Sequence, residues 1–242
     1  MKRLSIACLL LVGFIFTAPA QAGFFDELLG GITEKAPAVT SGDLSLEKIV
    51  SGLKEALSVG TGNAVSVLSN PGGYFKNEAV KILLPEKIRS MTNMLREVGF
   101  DGPVDEFELS MNKAAEAAVD KAKPIFMDAV KEMTFEDAKK ILDGSDTAAT
   151  EYLREKTSGK IAEAFRPIIS NSMNEVGVTR SYQALVDKFN TIPFMKADSM
   201  DLEPYVTEKA MDGVFHMVGE EEKKIRTNPQ ARVTDILQEV FK

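Results

Sequence analysis

The sequence predicts an all-α protein, and three observations predict it. Apolar residues recur three and four positions apart through most of the chain, the period of a helix with one buried face. Glycine, proline and asparagine fall between those stretches, where helices stop and restart. No alternating apolar–polar run survives beyond four residues, and no Asn-Gly or Asp-Gly turn separates two such runs. The expected architecture is a bundle of about eight to ten helices, built as a single domain from residues 44–242, with kinks at Pro124 and Pro167.

Residues 1–22 are expected to stand outside that fold as a signal peptide. Lys2 and Arg3 supply a positive n-region, Ile6 to Phe16 an apolar h-region, and Ala20-Gln21-Ala22 a small-residue cleavage signal after Pro19. The run is short for a membrane-spanning helix, and the Ala20/Ala22 pair argues for cleavage between Ala22 and Gly23 over an uncleaved anchor. Cys8 is the only cysteine. Lipidation there would leave only seven residues before the cut and puts Ser5 where a branched aliphatic is usual. Cleavage therefore yields a cysteine-free chain, without disulfides, thiolate nucleophiles or cysteine-based zinc sites. Loss of Lys2 and Arg3 takes the formal charge from −7 to −9. Such a surface repels nucleic acid and anionic lipid, and no basic stripe offsets it. No later stretch is apolar for long enough to span a bilayer, so the expected location is the periplasm or the exterior of the cell.

Residues 23–43 are expected to form a flexible lead-in. Phe24-Phe25-Asp26-Glu27-Leu28-Leu29 makes a turn or two of amphipathic helix, Gly30-Gly31 stops it, and Ala36 to Gly42 is linker-like. A partner-binding or membrane-touching role for the aromatic pair is the sharper alternative.

From Leu44 the helices follow in order. Leu46, Ile49, Val50, Leu53 and Leu57 make one stripe, continued by Val65, Val67 and Leu68 past the weakening Gly60 and Gly62. Asn70-Pro71-Gly72-Gly73 stops that helix. Pro85 suits the first position of the next, and Gly99 caps its end. A central helix from about Val104 buries Phe107, Met111, Ala114, Ala115 and Ala118 and ends or kinks at Pro124. Ile125, Phe126, Ala129, Val130 and Met133 form another stripe. Thr134, with Asp137 three residues on, announces a helix from Phe135 to Leu142. Asp146 or Thr147 caps a helix carrying Tyr152, Leu153, Ile161, Phe165, Ile168 and Ile169, with bends at Gly159 and Pro167 and a stop at Gly177. Thr179–Asn190 is a short helix followed by a loop to Ser199. Asp201 caps a helix with Val206, Ala210, Val214, Phe215 and Val218 inward, and Asn228-Pro229 turns the chain. Ala231–Phe241 is the last helix, with Val233, Ile236, Leu237, Val240 and Phe241 apolar. Glu47–Gly60 and Glu86–Gly99 share ends and span, but nothing around them extends the match as a repeat would.

Met111 to Ala118 is the stretch around which the chain is organised. Four alanines make a slim helix that neighbours can approach closely, and Asn112 and Glu116, four residues apart, share one face. That pair is either a satisfied buried network or part of a site. Glu151, Arg154, Arg166, Glu222 and Arg226 are the further candidates for the same polar network, with Glu222 and Arg226 spaced as a solvated surface pair.

Met111-Asn112-Lys113-Ala114-Ala115-Glu116 followed by Pro124-Ile125-Phe126, Asp137-Ala138 and Ala148 to Arg154 resembles the bacterial exported proteins grouped as domain of unknown function 4197. Ala164-Phe165-Arg166-Pro167-Ile168-Ile169, Tyr205-Val206-Thr207, Glu221-Glu222, Ile225-Arg226, Asn228-Pro229 and Ala231-Arg232 extend the likeness from Leu44 to Phe241. The resemblance implies an α-helical exported protein and assigns no catalytic residue.

Little catalytic inventory remains. His216 is the only histidine; it stands one turn before Glu220, so a metal pair is geometrically open, yet it lies beside an apolar face. No nucleophile elbow, P-loop, dinucleotide fingerprint, EF-hand loop or H-E-x-x-H occurs, and Asp143 to Asp146 reads as a helix cap and turn rather than a calcium loop. The expectation is a non-catalytic binding or interaction module of the cell envelope. It has no cofactor, and its partner is an envelope protein or an apolar ligand received by a helical bundle with many methionines. The alternative is a carboxylate-dependent hydrolase of an envelope polymer, with Glu116 as general acid and its pKa raised by the alanine face. Against it, the chain has no tryptophan and four tyrosines, a thin supply of sugar-stacking platforms.

Overall fold

Ser45 opens the first helix by accepting a hydrogen bond from the Lys48 amide at 3.3 Å, in a computed structural model that describes residues 45–175, 177–197 and 200–240. The chain divides into two units, Met1–Asp43 and Leu44–Lys242. The expected signal peptide and lead-in, with Ser199 and Phe241, lie outside the described residues.

Nine α-helices and no strand occur among the described residues: α1 Leu46–Leu68, α2 Glu86–Glu97, α3 Asp101–Ala118, α4 Ala122–Glu132, α5 Phe135–Leu142, α6 Ala148–Glu175, α7 Val178–Asn190, α8 Glu203–Thr227 and α9 Asp235–Val240. The middle of the bundle is α3, α6 and α8. α6 packs chiefly on α8 and α3, α7 covers α3, and α1 lies across α8, α9 and α4. At about 1.5 Å per residue α6 is roughly 42 Å long.

α3 is slim, as its alanines require. Val104, Phe107, Met111, Ala114, Ala115 and Ala118 are all fully buried, and the alanines among them present only methyl groups to the helices packed on α3. Aromatic side chains fill the wider spaces. Phe126 meets Phe215 edge-on at 5.7 Å between centroids, and Phe107 stacks on Tyr182 at 5.5 Å.

The punctuation acts where the sequence places it, with small shifts. Thr134 and Asp137 form a reciprocal capping box at the start of α5. Hydrogen bonds from the Thr134 hydroxyl and amide hold the Asp137 carboxyl below the usual carboxylate range. Gly99 closes the α2 turn at φ +87°. Pro85 is the N-cap of α2 rather than its first residue, and α3 begins at Asp101, ahead of Val104. Near Pro124 the helical run breaks into a 3-10 turn at Val119–Lys121, leaving the proline in the first turn of α4, where its missing N–H costs least. Pro167 lies inside α6, which runs through it and through Gly159 unbroken. The proline is exposed.

Two expectations are corrected. Val67 is exposed rather than part of the apolar face, and the last helix starts at Asp235 instead of Ala231, which leaves Val233 before it and exposed. Residues 228–234 serve the end of α8 instead. Pro229–Ala231 is a 3-10 turn, and the Arg232 guanidinium donates to the carbonyls of Ile225 (3.0 Å) and Arg226 (2.9 Å), which the helix itself leaves unpaired.

Candidate functional site

Between α1 and α2 the chain crosses the bundle without forming a helix. This strap, residues 69–85, carries backbone polar groups into the protein, and each needs a partner. Asn112 supplies two at one residue. Its Oδ1 accepts from the Ile82 amide at 2.8 Å, and its Nδ2 donates to the Ile82 carbonyl at 2.9 Å and to the Glu108 carbonyl at 2.8 Å. The side-chain amide thus pairs with Ile82 as a neighbouring strand would. One helical turn on, Glu116 Oε1 accepts from the amides of Tyr74 (3.2 Å) and Phe75 (3.4 Å). Asn112 is fully buried and Glu116 8% exposed. The pair that shares a face of α3 is therefore a clamp on the strap.

Tyr74 is the side chain the clamp sets in place. It is fully buried, and its hydroxyl donates to the Ala210 carbonyl of α8 at 2.7 Å. Burial, reinforced by the nearby Glu116 charge, pushes its pKa well above the ordinary tyrosine value, so it remains a donor. Gly213 makes the room: a Cβ there would stand 2.6 Å from Tyr74 Cε1. Gly73 is equally constrained, because a Cβ would meet the Val67 and Leu68 carbonyl oxygens at 2.5 Å.

Pinned in this way, the strap forms one wall of an open cleft of about 440 Å³ whose other walls are α6 and α8. Lys81 projects from the strap, Arg154 from α6, and Lys209, Asp212 and His216 from α8, over a floor that includes the Phe215 ring. Arg154 lies 4.4 Å above that ring and donates to Asp212 from a single guanidinium nitrogen, at 3.4 Å. Lys209 reaches the other oxygen of the same carboxylate at 3.3 Å. Lys81 pairs with Glu108 at 2.7 Å and caps the Phe75 ring at 4.5 Å. Arg154, Lys209 and Asp212 are each nearly half exposed.

Glu222 occupies a second, separate polar site. Its Oε1 accepts from the Ala149 amide at 3.1 Å, and its Oε2 from the Thr150 amide at 2.9 Å and the Thr150 hydroxyl at 2.7 Å. Arg226 adds Nε and Nη2 to Oε1 and sends Nη2 on to the Ile141 carbonyl at 3.2 Å. The expectation of a solvated pair is overturned, since the side chains of Arg226 and Glu222 are 16% and 7% exposed. Glu222 faces the start of α6, where unpaired amides and the helix dipole favour a carboxylate.

The structure thus joins Asn112 to Glu116 and Glu222 to Arg226, and keeps the two groups apart. Arg154 answers to Asp212 rather than to a glutamate. Glu151 is exposed and accepts from the Thr147 hydroxyl one turn before it, at 3.0 Å. Arg166 is exposed and joins neither group. No group of three or more histidine, aspartate or glutamate side chains that could hold a metal ion occurs among the described residues, His216 and Glu220 included.

Sequence reading missed Tyr74, Lys81, Lys209, Asp212 and Gly213. One signal was available. Gly213 interrupts a good helical pattern where alanine would be about 1 kcal/mol better, the mark of a close approach. No helix of the described residues is long and apolar enough to cross a membrane. Comparison with curated proteins and with solved structures returns no match. A family model described as a protein of unknown function (DUF4197) matches residues 43–242, well over half of the chain, and the protein belongs to that family.

Proposed function

We propose that the protein is a non-catalytic binding module of the cell envelope, acting after export and cleavage between Ala22 and Gly23, and that the cleft between strap, α6 and α8 is its binding surface. One observation carries the reading. The buried polar residues of α3 are spent on the chain's own backbone, and in holding it they fix a wall of a cleft whose charged side chains face outward. Glu116, the candidate general acid, is occupied by two backbone donors and is not among the residues that line the cleft. A proton donor must instead reach the leaving group directly or through one water.

The test uses the mature protein. Protein recovered from the envelope fraction is expected to begin at Gly23 by mass spectrometry. It should co-sediment with envelope material, and Ala79→Trp, placed on the exposed strap edge of the cleft, should abolish that association without changing the melting temperature. On purified peptidoglycan no fragment should be released. Glu116→Gln keeps one acceptor for the strap but loses the charge, and is expected to cost about 1 kcal/mol of stability. Release of soluble glycan that Glu116→Gln abolishes, with the melting temperature unchanged, would establish the hydrolase instead.

A further inference from the structure

We infer that the cleft binds a phosphoryl group, and that Arg154, Lys209 and Lys81 are its ligands. The inference rests on the binding reading above and names the chemistry of that surface. Three cations from three elements of the fold line one concavity with a single carboxylate, Asp212, among them. Glu108, packed behind the strap, compensates Lys81. Arg154 and Lys209 then share Asp212, which leaves one positive charge uncompensated on a chain whose net charge is −7. His216, at the cleft edge, brings no negative charge in either protonation state. An acidic protein that concentrates cations in one cleft sets a local field opposite to its overall one, and such a cleft gathers anions.

The geometry favours phosphoryl over carboxylate. The Arg154 guanidinium carbon lies 4.4 Å from the Phe215 ring centroid, and among the described residues one guanidinium nitrogen is engaged, in a long contact to Asp212. Its remaining N–H groups form the planar fork that receives two oxygens of a phosphate or carboxylate. Lys209 and Lys81 each retain ammonium protons beyond their present contacts, since an ammonium has three to give. A carboxylate has two oxygens and one charge. A phosphate monoester has three terminal oxygens and a charge of about −1.5 to −2 near neutral pH, enough to meet all three cations. A soluble phosphate ester and a phosphate-bearing lipid headgroup share this chemistry.

The experiment is a titration of the mature protein with glycerol 3-phosphate, with vesicles of phosphatidylcholine containing phosphatidic acid, and with succinate at matched ionic strength. It is followed by thermal shift and, for vesicles, by co-sedimentation. A saturable response to either phosphate probe that weakens at least about tenfold in Arg154→Gln and in Lys209→Gln supports the inference. The distal Lys131→Gln should behave as the parent protein. Response to glycerol 3-phosphate assigns the soluble ester, and response to the vesicles alone assigns the headgroup. Equal response to succinate overturns the phosphoryl assignment, as does a response that survives both substitutions. Absence of any saturable response also overturns it. None of these outcomes decides the binding reading, because Ala79→Trp blocks the cleft sterically and leaves its charges in place. Circular dichroism melts of the two variants, whose side chains are half exposed, verify that lost binding is not lost fold.

Discussion

Glu222→Ala is expected to lower the unfolding free energy by about 3–5 kcal/mol, the cost of removing one partner from a buried charged group. For a domain of this size that corresponds to a fall of roughly 6–20 °C in melting temperature. Five hydrogen bonds end on this carboxylate, two from the first-turn amides of α6, one from the Thr150 hydroxyl and two from Arg226. Alanine leaves the amides and hydroxyl without an acceptor inside the protein and strands the Arg226 guanidinium, which is itself mostly buried. Glu222→Gln keeps one acceptor oxygen and should fall between the two. Because most of the penalty is the unpaired arginine, Glu222→Leu with Arg226→Met is expected to recover much of it, as apolar replacement of a buried ion pair does. Urea unfolding of the four proteins measures this. A loss below about 1 kcal/mol for Glu222→Ala would mean that water replaces the carboxylate at the α6 terminus and that the site is solvated after all.

The same residue marks how far the sequence could be read. The helices were legible because burial follows period: Phe107, Met111, Ala114, Ala115 and Ala118 are inward as their spacing requires. So was the shared face of Asn112 and Glu116. Their partner was not, because it is the backbone of a non-helical segment 30 to 42 residues earlier, and amide groups carry no sequence label. Glu222 and Arg226 looked like a surface pair since four-residue spacing reports only mutual neighbourhood. What buries them is the start of α6, some 72 residues away in the chain. Arg154 and Asp212 fail the same way: each sits at an ordinary polar position of its helix, and only the packing of α6 on α8 brings them into one cleft. Local rules therefore reach the elements and their faces. The site is made of contacts between elements, where the sequence offers residue types but no distances.

Gly213 is the exception, and its test is a reversal of sign. Gly213→Ala alone should destabilise by about 1–3 kcal/mol, the range for overfilling a packed site. The new methyl carbon would lie 2.6 Å from Tyr74 Cε1 and 3.3 Å from both Cζ and the hydroxyl oxygen. The ring has little room to retreat. Its hydroxyl is bound to Ala210 on the same helix as the glycine, and its amide to Glu116 on the opposite side. Tyr74→Ala removes a fully buried aromatic ring and is expected to cost about 3–5 kcal/mol by itself. With the ring gone, the three atoms nearest the new methyl are removed, and Gly213→Ala gains the helix propensity glycine lacks, about 1 kcal/mol. The substitution that harms the parent protein should then stabilise the Tyr74→Ala variant, a coupling of about 2–4 kcal/mol between residues in contact. Unfolding of the parent, both single variants and the double variant reads it directly. If Gly213→Ala costs the same in both backgrounds, Tyr74 is not what demands glycine in α8. The strap is then not held against that helix by the ring, and the wall it gives to the cleft depends on Asn112 and Glu116 alone.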